Sequence, residues 1–314
     1  MMKLLFTLIS TLLLTLNAYA NQPLLTPDEL NAKLSGNNLR ILDIRDPKSY
    51  AEKHISGSLN APYGKWRGPK ENPGELPPLN KLTELVQNLG LSPKNQIVVV
   101  SSGADETDFG AAARVYWTLK VLGLENLSIL NGGIKSWAVA KLPLDNQPVN
   151  VAKSDYVPSI NQSLITTKEE LVKKSADGSA QLIDARPKAF YEGETRHQAA
   201  KVPGTLKGAT NLEHSKWFDE KTPTFISSIK AKQVATDSQL DSDQEVVSFC
   251  NTGHWAATNW FAMSEVLGKK NVSMYNGSMV DFTKDAQLSS MDNVPSRGKQ
   301  LWIDFKLWIE RTFS

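Results

Sequence analysis

The sequence predicts a duplicated α/β fold, with two tandem domains that are each a parallel sheet carrying helices on both faces. Three observations predict it. Sequence blocks recur in the same order in the two halves, short β-branched runs alternate with Ala- and Leu-rich stretches, and a proline-bearing segment divides the halves.

The recurrence comes first, because a repeat decides how the rest is read. Ile41-Leu42-Asp43-Ile44-Arg45 returns as Leu182-Ile183-Asp184-Ala185-Arg186, and aromatic residues follow in both copies, Tyr50 in one and Phe190-Tyr191 in the other. The stretch from Ile55 to Asn60 matches that from Leu206 to Asn211, with Gly57 facing Gly208 and Asn60 facing Asn211. Val98-Val99-Val100-Ser101 matches Glu245-Val246-Val247-Ser248, Leu122-Gly123 matches Leu267-Gly268, and the stretch from Ser128 to Gly133 matches that from Ser273 to Ser278.

Within each copy the pattern is α/β. Gln96–Val100 and Glu245–Phe249 are apolar runs without strict alternation, as expected of strands buried on both faces of a parallel sheet. Residues 111–122 and 256–267 have helical composition, and each stretch closes on a glycine, Gly123 or Gly268, suited to a helix C-terminus. Strand and helix in alternation give a doubly wound sheet. Residues 143–158 are polar and carry prolines, which places the linker at 146–158, domain 1 at 21–145 and domain 2 at 159–314. Residues 301–309 space their apolar side chains as a helix does, and are expected to pack on a core.

Residues 1–20 read as a secretory signal. Lys3 gives a basic start, an almost wholly apolar run extends from Leu4 to Leu16, and Ala18-Tyr19-Ala20 supplies the small residues of a cleavage site after Ala20. The run falls short of the about 20 apolar residues that a membrane span needs. The expected location is therefore periplasmic, with no membrane contact after cleavage.

The remaining composition narrows the function. Of 314 residues, 40% are hydrophobic and 22% charged, as in a folded globular chain. A formal net charge of +2 with no long run of like charge argues against nucleic acid as a partner. There is one cysteine, Cys250, so no internal disulfide can form, and a lone thiol in an exported chain has to be buried or useful. The four histidines, His54, His197, His214 and His254, have no metal-ligand spacing. No glycine-rich nucleotide loop occurs, so no cofactor is implied.

Cys250 ends a predicted buried strand and precedes a predicted helix. Its loop reads Cys250-Asn251-Thr252-Gly253-His254-Trp255, whereas copy one has Ser101-Ser102-Gly103 there and no cysteine. Ligands bind outside the carboxyl ends of strands in open α/β sheets. A helix N-terminus offers free N–H groups and the positive end of a dipole. Gly253 lets successive N–H groups curl inward as a nest for an anion. The pattern predicts a sulfur nucleophile in an anion-binding cup.

The doubled Asp-x-Arg, the repeated Gly and Asn turns, and the strand–Cys-x-x-Gly–helix loop resemble the tandem rhodanese family, over nearly the whole chain from Leu25 to Phe282. The resemblance implies two rhodanese-like domains, the first inactive. It also implies a ping-pong thiosulfate or 3-mercaptopyruvate sulfurtransferase, in which Cys250 takes a sulfur atom as a persulfide and passes it to cyanide or a thiol. Carried over by position, Cys250 matches the nucleophile, Gly253 the loop glycine, and Arg186 an arginine facing the active-site anion. Arg196, in an extra stretch at 193–202, is a second candidate contact. Asn251, Thr252, His254 and Trp255 complete the candidate substrate-binding set. Asp184 is expected to order its loop rather than act as a base. The family's thiosulfate-specific members tend to carry basic residues after the cysteine, where Asn251 and Thr252 are neutral. Its mercaptopyruvate-type members tend to carry small residues there and a Val-Thr or Ser pair where this chain has His254 and Trp255, so the loop fits neither pattern.

The other side chains near these motifs read more plainly. His254 is expected to face solvent, Trp255 to pack beside the pocket, His54 to be structural, and Trp66 and Arg67 to lie in an ordinary surface loop at 62–78. A cysteine phosphatase would need Arg at the end of Cys-x₅-Arg, where Ala256 stands. A non-enzymatic persulfide carrier for a dedicated partner is an alternative that the sequence leaves open.

Overall fold

The computed structural model describes residues 22–220, 222–285 and 288–313. The expected signal at 1–20 lies outside the described residues. In domain 1, strands β1 (Leu24–Leu25), β2 (Leu39–Asp43), β3 (Leu59–Asn60), β4 (Gln96–Val100) and β5 (Leu127–Leu130) form a parallel sheet in the order β1-β5-β4-β2-β3. In domain 2, β6 (Ala180–Asp184), β7 (Thr210–Asn211), β8 (Glu245–Phe249) and β9 (Val272–Met274) form a parallel sheet in the order β7-β6-β8-β9.

The repeat extends to register. Asp43 lies opposite Val100 and Asn60, and Asp184 opposite Phe249 and Asn211. The counterpart of β1 is a single parallel bridge from Ile165 to Met274. In domain 2 the chain passes from β6 to β7 on one side and from β8 to β9 on the other. The carboxyl end of β8 therefore meets the crevice where strand order reverses, which is where such sheets bind ligands.

The two principal helices differ from the sequence expectation at their ends. Helix α1 spans Glu106–Val121 and begins ahead of the apolar stretch, because the Asp105 carboxylate accepts from the Asp108 N–H and caps it. Helix α2 spans Trp255–Trp260 and then widens into a π-helical turn over Phe261–Val266. Both paths end at glycines in the left-handed region, Gly123 and Gly268.

α1 and α2 pack on each other and join the two domains into one apolar core. Phe109 meets the ring of Phe261 at 5.6 Å, and Tyr116 meets Phe261 at 5.1 Å and Trp260 at 6.2 Å. Each such pair adds about 0.5–1.5 kcal/mol beyond the area it buries. The Tyr116 hydroxyl also donates to Glu265 at 2.6 Å across the seam. α1 is buried on nearly every side, which explains why its sequence lacks an amphipathic stripe.

The linker is held against domain 1. Leu144–Asp145 pairs with His54–Ile55, the Gln147 carbonyl lies 3.1 Å from His54 Nε2, and the Tyr156 hydroxyl donates to the Leu122 carbonyl at 2.6 Å. His54 is buried and stacked on Tyr50 at 4.0 Å, which fits its structural reading.

The C-terminal segment forms a helix, α3 (Arg297–Phe313), but its apolar stripe does not pack on a core as expected. Leu301 and Trp302 are each 55% exposed, Trp308 49% and Phe305 47%, and among the helix residues whose side chains are described only Ile303 is buried. Helical spacing shows that a stripe exists, but it cannot say which side of the helix the protein body lies on.

Candidate active site

The site begins where β8 ends. Its apolar side chains are buried on both faces, so the strand is rigid up to Cys250, which is 1% exposed. The backbone then turns sharply, with Gly253 at φ +68°, and enters α2. The segment after β9 fixes this turn. The Met279 N–H donates to the Cys250 carbonyl and the Val280 N–H to the Asn251 carbonyl, both at 3.0 Å. The Ser278 hydroxyl oxygen accepts from the Cys250 N–H at 3.0 Å and the Gly253 N–H at 3.1 Å, and donates to the Tyr275 carbonyl at 2.9 Å. Ser278 sits at φ +54°, a conformation that costs a non-glycine residue about 1–2 kcal/mol. Its hydroxyl is the compensation, since it ties both ends of the loop.

Copy one has the same scaffold without the cysteine. The Ser101 and Ser102 carbonyls accept from Ile134 and Lys135, as those of Cys250 and Asn251 do from Met279 and Val280. Gly133, at φ +57°, stands where Ser278 stands. The Asp108 carboxylate accepts from the Gly103 N–H at 2.6 Å, so copy one puts its own anion into its loop.

The Asp-x-Arg repeats are staples. Arg186 grips Asp184 through Nε at 2.8 Å and Nη2 at 2.5 Å, and Nη2 also donates to the Gly204 carbonyl. Arg45 grips Asp43 in the same way. Asn211 ties the carbonyls of Asp184 and Arg186, and Asn60 those of Asp43 and Arg45. Asp184 thus orders its loop. Arg186 turns only Nη1 toward the cysteine loop, 3.5 Å from the Asn251 side-chain oxygen.

Arg196 does not join the site by any contact. Its Nε and Nη2 bond Asp304 of α3, and its Nη1 donates to the carbonyls of His197, Gln198 and Ala200. The extra stretch at 193–202 curls around this guanidinium, and all three of its nitrogens hold protein oxygens.

Domain 1 contributes directly. Arg67 Nη2 donates to the Thr252 carbonyl at 2.8 Å, and Arg114 donates to the Gly253 carbonyl at 3.2 Å and the Gly74 carbonyl at 2.8 Å. Asn276 closes the same corner by donating to Gly74 at 2.8 Å. Among the described residues neither arginine has a carboxylate partner, and Arg67 Nη1 and Arg114 Nε are buried with no partner. Burial, then the nearby Arg67 charge, pushes Arg114 down to about 9. Two guanidinium groups without counter-charge, Arg114 buried and Arg67 half-buried, favour an anion at this loop. The expectation that 62–78 is an ordinary surface loop is therefore wrong. Trp66 is buried, and Arg67 lies over the Tyr63 ring at 5.3 Å while it holds the loop.

His254 does not face solvent either. Its Nε2–H donates to the Thr107 carbonyl and its Nδ1 accepts from the Tyr63 hydroxyl, both at 2.7 Å. No ring nitrogen is left for a substrate. Burial and the Arg67 charge push its pKa down to about 3, so the ring is a neutral pin between the domains. In the unfolded chain this imidazole titrates near 6.5, so it takes up a proton that the folded form excludes. Stability is expected to be full above pH 6.5 and to fall as pH drops from 6.5 toward 3. His214 and His197 are also lowered by burial and act in the same direction. Thermal unfolding at pH 7.5 and pH 5 checks this: His254→Gln should show a smaller drop than the native protein, and equal drops would place the imidazole outside the titration.

Trp255 stacks on His214 at 4.9 Å and meets the edge of Phe190 at 6.0 Å, forming a wall beside the loop. Asn251 and Thr252 are buried. Sequence reasoning passed over Tyr63, Thr107, Arg114 and Ser278. Two of these left a signal: Arg114 is a charge within Ala111-Ala112-Ala113-Arg114-Val115, and Ser278 replaces a glycine of the repeat.

Comparison with known proteins agrees with this geometry. A family model described as "Rhodanese-like domain" matches residues 26–140 and 167–285. A thiosulfate sulfurtransferase of Azotobacter vinelandii is 29% identical over 262 residues, covering 83% of this chain and 94% of that one. A putative thiosulfate sulfurtransferase of Mycobacterium tuberculosis (strain ATCC 25618 / H37Rv) is 27% identical over 245 residues, covering 76% and 85%. Among solved structures, the 3-mercaptopyruvate sulfotransferase SseA from Escherichia coli superimposes with a TM-score of 0.72 at 21% identity, over 82% of this chain and 98% of that one. An anaerobic ergothioneine biosynthesis enzyme from Chlorobium limicola does so with a TM-score of 0.76 at 18% identity, over 87% and 71%.

Proposed function

This chain belongs to the rhodanese-like domain family, whose domain it carries twice, and on that premise we propose that it is a sulfurtransferase working through a persulfide on Cys250. The observation that carries the proposal is the loop itself. One nucleophile ends a rigid strand under a helix N-terminus, and two domain 1 guanidinium groups without carboxylate partners hold the same loop.

The donor is a small anion, thiosulfate or 3-mercaptopyruvate. The Cys250 thiolate attacks the donor sulfur and forms an S–S bond. With thiosulfate the donor's S–S bond breaks, and its electron pair leaves on sulfite. With 3-mercaptopyruvate the C–S bond breaks, and the carbon takes a proton to give pyruvate. The charge of Arg67 and Arg114 supports the anionic donor, and Arg186 acts on the loop through Asn251. In the second half, cyanide or a thiolate attacks the outer sulfur, the S–S bond breaks, and the pair returns to Cys250. Dividing the transfer in this way replaces one hard step with two easier ones.

The burial of Cys250 favours small donors and acceptors over docking of a carrier's protein partner. The basic start, apolar run and small-residue site at 1–20 support export to the periplasm.

Intact-mass measurement tests the reading. After thiosulfate or 3-mercaptopyruvate the protein is expected to gain one sulfur atom, which cyanide then removes. The donor that loads it faster identifies the substrate class. No adduct with either donor would overturn the small-donor cycle and turn attention to a protein-borne sulfur source.

A further inference from the structure

The outer face of α3 is a feature that sulfur chemistry does not use. At 100° per residue, Trp308, Leu301, Phe305, Ile309 and Trp302 fall within an arc of about 120°. All five are exposed, and the rings form a ladder, with Trp302 to Phe305 at 5.7 Å and Phe305 to Trp308 at 6.1 Å. The inner side is anchored by buried Ile303, and Asp304, at one edge of the stripe, is bonded to Arg196. The helix lies beyond the second family match, which ends at residue 285.

The charges around the stripe say what fits it. On the same wheel, Lys306 borders one edge with Lys299 about 20° further round, Arg297 and Arg311 lie at the other edge with Asp304 between them, and all four basic residues are exposed. Lys306 lies over the Trp302 ring at 5.4 Å, so its ammonium sits at the rim of the apolar face. The acids of the helix are Asp304, already paired with Arg196, and Glu310 on the side away from the stripe. An apolar, tryptophan-rich stripe with cations along both edges matches an interfacial helix lying in the headgroup layer of an anionic bilayer. A second copy docked face to face would oppose cationic rim to cationic rim. With 17 residues and several charges, α3 is suited to lie on a membrane, and no described helix is long and apolar enough to cross one.

We propose that α3 is a membrane-surface anchor, placing Leu301, Trp302, Phe305, Trp308 and Ile309 among acyl chains and its four basic residues against anionic headgroups. This replaces the sequence expectation that the chain has no membrane contact after signal removal.

The test uses the protein from residue 21 onward, because both domains and α3 lie within residues 22–313. Sedimentation with vesicles of phosphatidylcholine alone is compared with vesicles of equal parts phosphatidylcholine and phosphatidylglycerol. Binding to the anionic vesicles is expected to be about tenfold tighter and to weaken with salt. Trp302→Ser with Trp308→Ser should abolish it. Lys299→Glu with Lys306→Glu, which leaves the apolar face intact, should remove the preference for anionic lipid. Absence of binding to either vesicle would overturn the proposal. So would a concentration-dependent dimer in analytical ultracentrifugation that the tryptophan substitutions dissolve, because the face would then belong to a second copy.

Discussion

Cys250→Ser is expected to leave the fold standing and abolish sulfur transfer. The backbone bonds that shape the loop, from Cys250 N–H to Ser278 and from Met279 N–H to the Cys250 carbonyl, do not involve the side chain and survive the change. A hydroxyl is close in size to a thiol, and burying it with an imperfect partner costs about 1–3 kcal/mol. Chemically the two are far apart. An ordinary thiol titrates near 8.5, whereas a serine hydroxyl stays protonated at neutral pH and forms no persulfide. The loss in kcat/KM is expected to be on the order of 10⁴-fold or more, as for removal of a covalent nucleophile. A thiosulfate-to-cyanide assay beside thermal unfolding separates the two effects. Retained turnover would exclude Cys250 as the sulfur-carrying atom.

Gly253→Ala is expected to damage both stability and rate. At φ +68° a side chain is already disfavoured, and a Cβ here would sit 2.5 Å from the Asn276 carbonyl oxygen and against Arg114 Nη1. The carbonyl cannot yield, because the Asn276 side chain and Arg114 both hold the Gly74 carbonyl on the other side of the seam. Strain and overpacking together should cost about 2–4 kcal/mol. The loop would shift, and a displacement of about 1 Å at a reacting centre costs about 100-fold in rate. Gly268→Ala is the comparison: φ is +71°, but a Cβ there meets nothing within 4 Å. It should lose about 1–2 kcal/mol and no activity. Equal effects at the two glycines, read by denaturant unfolding and kcat/KM, would show that backbone conformation alone matters at position 253.

The repeat was legible because both copies keep the residues that staple strand ends. Asp184, Arg186 and Asn211 form one hydrogen-bonded unit, Asp43, Arg45 and Asn60 form another, and the same geometry demands the same letters. Cys250 was legible because a lone thiol between strand and helix has few other uses. The contacts from domain 1 were not. Arg67 meets Thr252 across 185 positions of sequence, and no local pattern encodes which face of one domain lies over the other. His254 was misread for the same reason, since its partners Tyr63 and Thr107 are in the other copy. The mate of Arg196 is on α3, whose own place on the body the spacing of its apolar residues does not reveal.

The grip of domain 1 on the cysteine loop makes the chain, in effect, a dimer whose dissociation has been forbidden by a tether. Arg67, Arg114, Tyr63 and Thr107 form the covering half of the site, and the linker, held to domain 1 through Gln147 and Tyr156, keeps that half at hand at any protein concentration. An intramolecular partner has an effective concentration in the millimolar range for short linkers. The half without a cysteine thus meets the cysteine loop through its surface. On the proposed reaction, the two halves would then act as one unit that carries one sulfur per chain, because Cys250 is the single cysteine.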